Sequence, residues 1–236
     1  MLAQAELASL AVAVRPTLGV VIVGVDGWRE YTKPAIDSIL HYEPGVHIVV
    51  VDAGSKRSYS GESDSMAFRA PEFGRLDVDY CRIDPSFSYA GAINKGLEFA
   101  DADWTVVLNN DTLCTGGFAD IVAGLSPTAI YGRQIIEERG ERWIGLWIMA
   151  ISRECREAVG PFDEAFHVCG FEDADFCLRA KALGFSSEWA DLPFVHLWGK
   201  TRWGVPNYPE IRERNRLYFD KKWGWMPGIA MRVTKE

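Results

Sequence analysis

The stretch Trp104-Thr105-Val106-Val107-Leu108-Asn109-Asn110-Asp111-Thr112 is an apolar, β-branched run that stops abruptly at two amides and a carboxylate. Such a run reads as a buried strand, and its polar end as a turn that carries side chains to the rim of a sheet. Ligands of open α/β sheets bind at that rim. A carboxylate held there suits a hard divalent cation that shares its coordination sphere with phosphates. Asn and Asp also favour plain turns, because their side chains bond the local backbone. The surrounding sequence has to choose between a turn and a site.

Upstream, the same pattern recurs. Gly19 to Val25 is a continuous apolar run, as expected of a strand covered on both faces. Lys33 to Leu40 places Ala35, Ile36, Ile39 and Leu40 on one face of a helix that Pro34 can start. His47 to Val51 is a second buried strand, ending at Asp52-Ala53-Gly54-Ser55. Ser55 to Gly74 is polar and reads as a long surface loop with room for one helical turn. Leu76 to Ile83 is a third strand, and Tyr89, Ala92, Ile93, Gly96 and Leu97 then define an amphipathic helix leading into the Trp104 strand. Beyond Asp111, Phe118, Ile121, Val122 and Leu125 predict one more helix. This βαβ series predicts an α/β fold with a mainly parallel sheet flanked by helices.

Downstream, the texture changes. Ile130 to Ile136 and Trp143 to Ile151 predict antiparallel strands joined by a turn at Glu138-Arg139-Gly140-Glu141. A loop at Gly160-Pro161-Phe162-Asp163-Glu164 leads to Gly170-Phe171-Glu172-Asp173-Ala174-Asp175, which opens a helix that Gly184 stops. Ser187 to Val195 predicts a short strand delivering His196, and Asn207-Tyr208-Pro209-Glu210 has the spacing of a capping box for a helix running to about Lys222. Without repeats or linkers, residues 1–236 read as one domain, with a first half over about 18–125 and a second over about 126–236.

Composition narrows the function classes. A chain of 236 residues, 48% hydrophobic and 25% charged, buries a substantial core. Its net charge of -8 argues against a general nucleic-acid binder. No apolar run approaches the roughly 20 residues needed to span a bilayer. Met1 to Val14 lacks basic residues ahead of its apolar part, so it reads as a short helix or frayed tail rather than a signal peptide. The cysteines Cys81, Cys114, Cys155, Cys169 and Cys177 lack metal-ligand spacing and fit reduced, mostly buried thiols, which predicts a cytoplasmic protein.

Asp111, His196, Glu172 and Asp173 stand at strand ends or helix starts, where side chains converge on a cleft. Taken singly, Glu172 or Asp173 fits a helix cap and His196 a core histidine. Their order decides. Val20-Val21-Ile22-Val23, Val49-Val50-Val51-Asp52-Ala53-Gly54-Ser55, Phe87-Ser88-Tyr89-Ala90-Gly91-Ala92-Ile93-Asn94-Lys95-Gly96 and Leu108-Asn109-Asn110-Asp111-Thr112 resemble the nucleotide-sugar half of family 2 inverting glycosyltransferases, of the rhamnosyltransferase-like subgroup. The resemblance continues through Gly160 to Glu164, Gly170 to Ala180, His196 and Arg214-Asn215-Arg216-Leu217-Tyr218-Phe219, and spans roughly Leu18 to Gly224.

The resemblance implies a GT-A fold with an antiparallel acceptor-side segment, and a nucleoside-diphosphate sugar as donor. Asp52 is then expected to bind the nucleobase, in a pocket lined by Val23, Gly24 and Val25, with Asn94 and Lys95 near base and diphosphate. Asp111 and His196 are expected to ligate Mn2+ or Mg2+ bridging the phosphates, with Asn109 and Asn110 beside them. Asp173 matches the catalytic base, and Glu172 is expected to orient the acceptor and to raise the pKa of Asp173 by like-charge repulsion. Trp198 to Pro206 is expected to close over the donor, with Lys200 or Arg202 near phosphate. Trp143, Trp147, Trp189, Trp198 and Trp203 include candidates for a sugar platform, most of them core, while Trp223, Trp225 and Met226 are candidates to touch a membrane surface or a second subunit of a homodimer. The acceptor is expected to be a glycan or lipid-linked glycan, met at the inner face of the membrane.

The first strand departs from the family, ending at Gly24-Val25-Asp26-Gly27-Trp28 in place of a Thr-Tyr-Asn-like turn. Two rivals make different demands. A sugar nucleotidyltransferase needs a Gly-rich basic loop after the first strand, where Gly24 to Tyr31 supplies only Arg29. A catalytically inactive glycan-binding module has no need to keep Asp111, Asp173 and His196 together.

Overall fold

The computed structural model describes residues 15–56, 68–69, 78–84, 88–197, 207–228 and 233–235. The expected N-terminal helix, the Trp198 to Pro206 segment with Lys200 and Arg202, and most of the Ser55 to Gly74 loop lie outside the described residues.

The first half follows the apolar periodicities. Strand β1 (Leu18–Gly24) leads through a single π-helical turn (Trp28–Thr32) to α1 (Lys33–Tyr42), β2 (His47–Asp52), β3 (Phe68–Arg69) and β4 (Val78–Arg82). Helix α2 (Tyr89–Phe99) then precedes β5 (Trp104–Asn109). β1 pairs in parallel with both β2 and β5, and β2 with β4. Alternate residues of β1 serve opposite faces: Val20 and Ile22 pack with Ile36 and Ile39 of α1, and Val21 and Val23 with Ala92 and Ile93 of α2. This double burial is why the strand is apolar throughout. Gly96 lets α2 lie close to the sheet, since a Cβ there would sit 2.3 Å from Val21 Cγ1.

The second half forms β6 (Thr112–Cys114), α3 (Ala119–Ala123), β7 (Ala129–Gly132), β8 (Ile135–Glu138), β9 (Glu141–Ile144) and β10 (Ile148–Ser152). Then come α4 (Arg153–Val159), α5 (Glu172–Ala182), β11 (Ser186–Trp189), β12 (Phe194–His196), α6 (Tyr208–Trp223) and β13 (Val233–Lys235). The main sheet has eight strands in the order β11-β7-β10-β5-β1-β2-β4-β3. Strands β5, β1, β2 and β4 are mutually parallel, and β10 joins antiparallel to both β5 and β7.

Several local expectations change in tertiary context. The single hairpin expected from Ile130 to Ile151 divides: β8 and β9 form a tight hairpin around Arg139 and Gly140, both at positive φ, while β7 and β10 join the main sheet. The strand expected from Ser187 to Val195 breaks into β11, parallel to β7, and β12, antiparallel to β6. Helix α3 is only five residues long, and Glu43 caps it by accepting from the Phe118 and Ala119 amides. Helix α4 is unforeseen, although Ser152 caps it through the Cys155 amide. Asn207 does not form the expected capping box: it adopts the left-handed conformation and makes no side-chain cap bond. The cysteines match expectation, with all five free and four buried.

Trp223 and Trp225, the candidates for a membrane or subunit contact, are partly buried against the core. Trp223 and Trp225 cover the core around Phe219, with Trp225 edge-on to that ring at 5.0 Å. Trp223 Nε1 donates to the fully buried Asp175, whose carboxylate also meets Arg179 at 2.9 Å and Lys222 at 2.7 Å. The Lys222 ammonium reaches Asp163 at 2.6 Å as well, so this network ties α6 to α5 and to the loop before it.

Candidate active site

The chain runs from β1 outward to β2 and β4, then returns to place β5 on the other side of β1. Strand order therefore reverses between β1 and β5, and the crevice of an open sheet lies beyond the carboxyl ends of those two strands. Asn109, Asn110 and Asp111 follow β5 directly into that crevice.

Two long-range pairings shape the turn. Asn110 is buried, donates from Nδ2 to Thr32 Oγ1 at 3.0 Å, and its backbone N–H donates to Val23 O. Gly24 leaves room for it, since a Cβ there would lie 2.5 Å from Asn110 Nδ2. On the other side, β12 pairs with β6 so that His196 faces Thr112, and the Leu197 amide donates to Asp111 O. This register brings His196 Nε2 to 3.1 Å from Asp111 Oδ1, across 85 positions of sequence. The indole of Trp147 stacks on the imidazole, centroids 5.1 Å apart and planes 2° from parallel.

The donor set of this pair fits a divalent cation. Two ligand atoms, each about 2.1 Å from one ion and at right angles, stand roughly 3.0 Å apart, and carboxylate oxygen with imidazole nitrogen is a common first shell. Among the described residues no cluster of three or more His, Cys, Asp or Glu side chains is placed to hold a metal.

Glu172 and Asp173 open α5 on the opposite wall. Phe171, left-handed at φ 74°, turns the chain into the helix, and Asn215 of α6 pins the approach by donating to Cys169 O at 3.0 Å. Neither acid is a simple N-terminal cap. Glu172 is buried and accepts from the Gly170 amide, whereas Asp173 is half-buried and accepts from the amides of Ala174 at 2.8 Å and Leu146 at 3.3 Å.

Burial pushes the Glu172 carboxyl up to about 8, with the charge of Asp173 adding to the shift. Asp173 is also raised by burial, while amide donors and the positive Arg212 oppose the rise. Burial, rather than the expected repulsion by Glu172, is thus the leading cause of the rise at Asp173.

A stability signature follows. An ordinary carboxyl releases its proton near pH 4.5, and buried Glu172 near 8. Below the lower value both folded and unfolded chains are protonated. Between the two values only the unfolded chain ionises, so this group makes stability fall as pH rises, with no further loss above about 8. Glu172→Gln is expected to remove a pH-dependent loss on the order of a few kcal/mol across that window. Denaturant midpoints for both proteins at pH 5 and pH 8 check it, and parallel pH profiles would show the carboxyl to be ionised throughout.

Tyr89, absent from the residues assigned by motif, bonds the turn after β5. Its hydroxyl donates to Asn109 Oδ1, and its pKa is raised by burial and by the nearby charges of Glu172, Asp111 and Asp173. Arg212 is likewise missed, and Trp147, named only as a candidate sugar platform, was not expected to stack on His196. A partly exposed aromatic and a lone basic residue carry no local signal that separates them from surface positions.

The remaining assigned residues lie around or beyond this centre. Asp52 is buried at the end of β2, accepting from the Ser55 amide and from Tyr80 Oη, both at 2.8 Å. Val23 and Gly24 end β1 beside it. Asn94 sits more than one turn along α2 from Tyr89, with its amide bonded to Phe162 O and Glu164 Oε1. Lys95 reaches Glu98 at 2.6 Å. None of these contacts involves Asp111 or His196.

Comparison with known proteins agrees with this architecture. Residues 20–125 match the model of glycosyl transferase family 2. The fold is shared with the mannosyltransferase PcManGT from Pyrobaculum calidifontis, solved with GDP-Man and Mn2+, at a TM-score of 0.61 and 19% identity. That alignment covers 91% of this chain and 67% of the other. GalNAc-T7, solved with UDP, GalNAc and Mn2+, aligns at a TM-score of 0.68 and 15% identity over 89% of this chain and 48% of its own. No protein of curated function matches the sequence.

Proposed function

We propose, from the premise that this chain is a glycosyltransferase with a family 2 match over residues 20–125 and a GT-A fold, that it is a metal-dependent, inverting enzyme. It would move a sugar from a nucleoside-diphosphate sugar to a hydroxyl of a glycan or lipid-linked glycan. The observation that carries this reading is the 3.1 Å approach of Asp111 and His196 at the switch point of the sheet. The Leu146–Trp147 segment supports treating the two walls as one site, since the Leu146 amide donates to Asp173 and Trp147 O accepts from the Asn109 amide.

Each residue then has a chemical task. Asp111 and His196 would hold Mn2+ or Mg2+, which would supply charge neutralisation for the diphosphate leaving group. Asp173 accepts the acceptor hydroxyl's proton as that oxygen attacks the anomeric carbon from the face opposite the nucleotide, and the anomeric configuration inverts. Glu172, neutral near pH 7, adds no second negative charge beside that base and orients the acceptor. Asp52, with Val23, Gly24 and Val25, is assigned to the nucleobase side; Asn109 and Asn110 shape the phosphate turn, and Arg202 is assigned to the phosphates. Asn94 and Lys95 support the donor side from α2. Among the described residues no helix is long and apolar enough to cross a membrane. A lipid-linked acceptor would therefore be met at a membrane surface, which we place on the cytoplasmic side.

A panel of UDP, GDP and dTDP sugars, incubated with Mn2+ and then with a chelator, tests the reading. Release of nucleoside diphosphate that stops on chelation and returns with Mn2+ is expected. Pyrophosphate released in a parallel reaction supplied with a nucleoside triphosphate and a sugar 1-phosphate would mark a nucleotidyltransferase, and binding without turnover of any donor a glycan-binding module.

A further inference from the structure

Resting on the metal site just assigned, we propose that Trp147 is a positioning residue of that site, holding His196 in its ligating orientation and fixing the spacing between the metal turn and the general base. The connection between β9 and β10 runs between the two walls. Its three residues touch both: the Leu146 amide donates to Asp173 Oδ2 at 3.3 Å, Trp147 O accepts from the Asn109 amide at 3.1 Å, and the Trp147 ring stacks on His196. The segment is itself anchored, since the Gly145 amide donates to Gln134 O at 2.9 Å.

Strand pairing alone leaves the imidazole free to turn about its side-chain torsions. The β12–β6 register sets the His196 backbone opposite Thr112, yet only contacts on the ring decide where Nε2 points. Two of them are in place: Asp111 Oδ1 at the ring edge and the indole face at 5.1 Å, with planes 2° apart. A parallel aromatic face of this kind restricts ring rotation without taking a nitrogen, leaving Nε2 available as a ligand. Partners that orient a ligating imidazole typically shift metal affinity by about 10–100-fold when removed.

The test titrates Mn2+ by electron paramagnetic resonance, with UDP and in parallel with GDP, into wild type, Asp111→Ala, Trp147→Phe and Trp147→Leu. Melting temperature and metal-free nucleotide affinity serve as folding controls. Trp147→Leu is expected to bind Mn2+ roughly 10-fold more weakly, with nucleotide affinity unchanged and Trp147→Phe restoring part of the loss, a rescue that a merely space-filling role would not require of an aromatic ring. If wild type binds Mn2+ and Asp111→Ala does not, but Trp147→Leu equals wild type, the positioning role is overturned and the metal site stands. Failure of wild type to bind Mn2+ with either nucleotide overturns the metal site and this inference with it.

Discussion

Asp111→Ala is expected to abolish metal-dependent transfer, lowering turnover by about 10³-fold or more, because Asp111 is the one anionic protein ligand of the proposed site among the described residues. His196 would be left with a neutral imidazole and the nucleotide's phosphates to hold the cation. Several kcal/mol of charge neutralisation on the leaving diphosphate is then lost, and each 1.36 kcal/mol is about tenfold in rate. Asp111→Asn is the informative companion: it preserves shape beside His196 but removes the charge, so it should retain the fold while losing most of the activity. Initial rates across a Mn2+ titration check both. Full activity of the Ala variant at saturating Mn2+ would place the metal elsewhere.

The second large effect is at Asp173. Asp173→Asn keeps the side chain's size and leaves one oxygen for the Leu146 or Ala174 amide, but it cannot take the acceptor's proton. Loss of a positioned general base costs typically about 10²–10⁴ in rate. Transfer is expected to fall by that amount while nucleotide-sugar binding, set on the opposite wall, stays within about twofold of wild type. Donor affinity by calorimetry and transfer rate on the same preparation separate these quantities. A parallel fall in both would mean that Asp173 acts in donor binding. Because burial raises Asp173 toward neutrality, transfer should also rise with pH on its acid limb as this carboxyl ionises.

The parts of this molecule legible in the sequence are those with a local cause. β1, β2, α2 and β5 announce themselves because a strand buried on both faces must be apolar throughout, and a helix packed on one face repeats its apolar residues every three or four positions. The five-residue α3, the divided hairpin and the two short strands around Pro193 were less legible, because a sheet partner distant in sequence decides which short segment extends and which turns. Asn207 looks like a cap by composition, yet its backbone adopts the left-handed conformation, where no side-chain cap bond forms.

The candidate site divides along the same line. By itself the sequence determined that Asp111 follows a buried strand, that Glu172 and Asp173 open a helix, and that the ordered motifs resemble one family. Only the tertiary structure decided that His196 meets Asp111 at 3.1 Å, through a three-residue pairing between strands 85 positions apart. It also decided that Trp147 stacks on His196, that Tyr89 bonds Asn109, and that burial raises the Glu172 carboxyl. The physical reason is that residue type and periodicity encode each segment's preference for burial. Distances between side chains and the desolvation that moves a pKa arise only when segments remote along the chain are packed against one another.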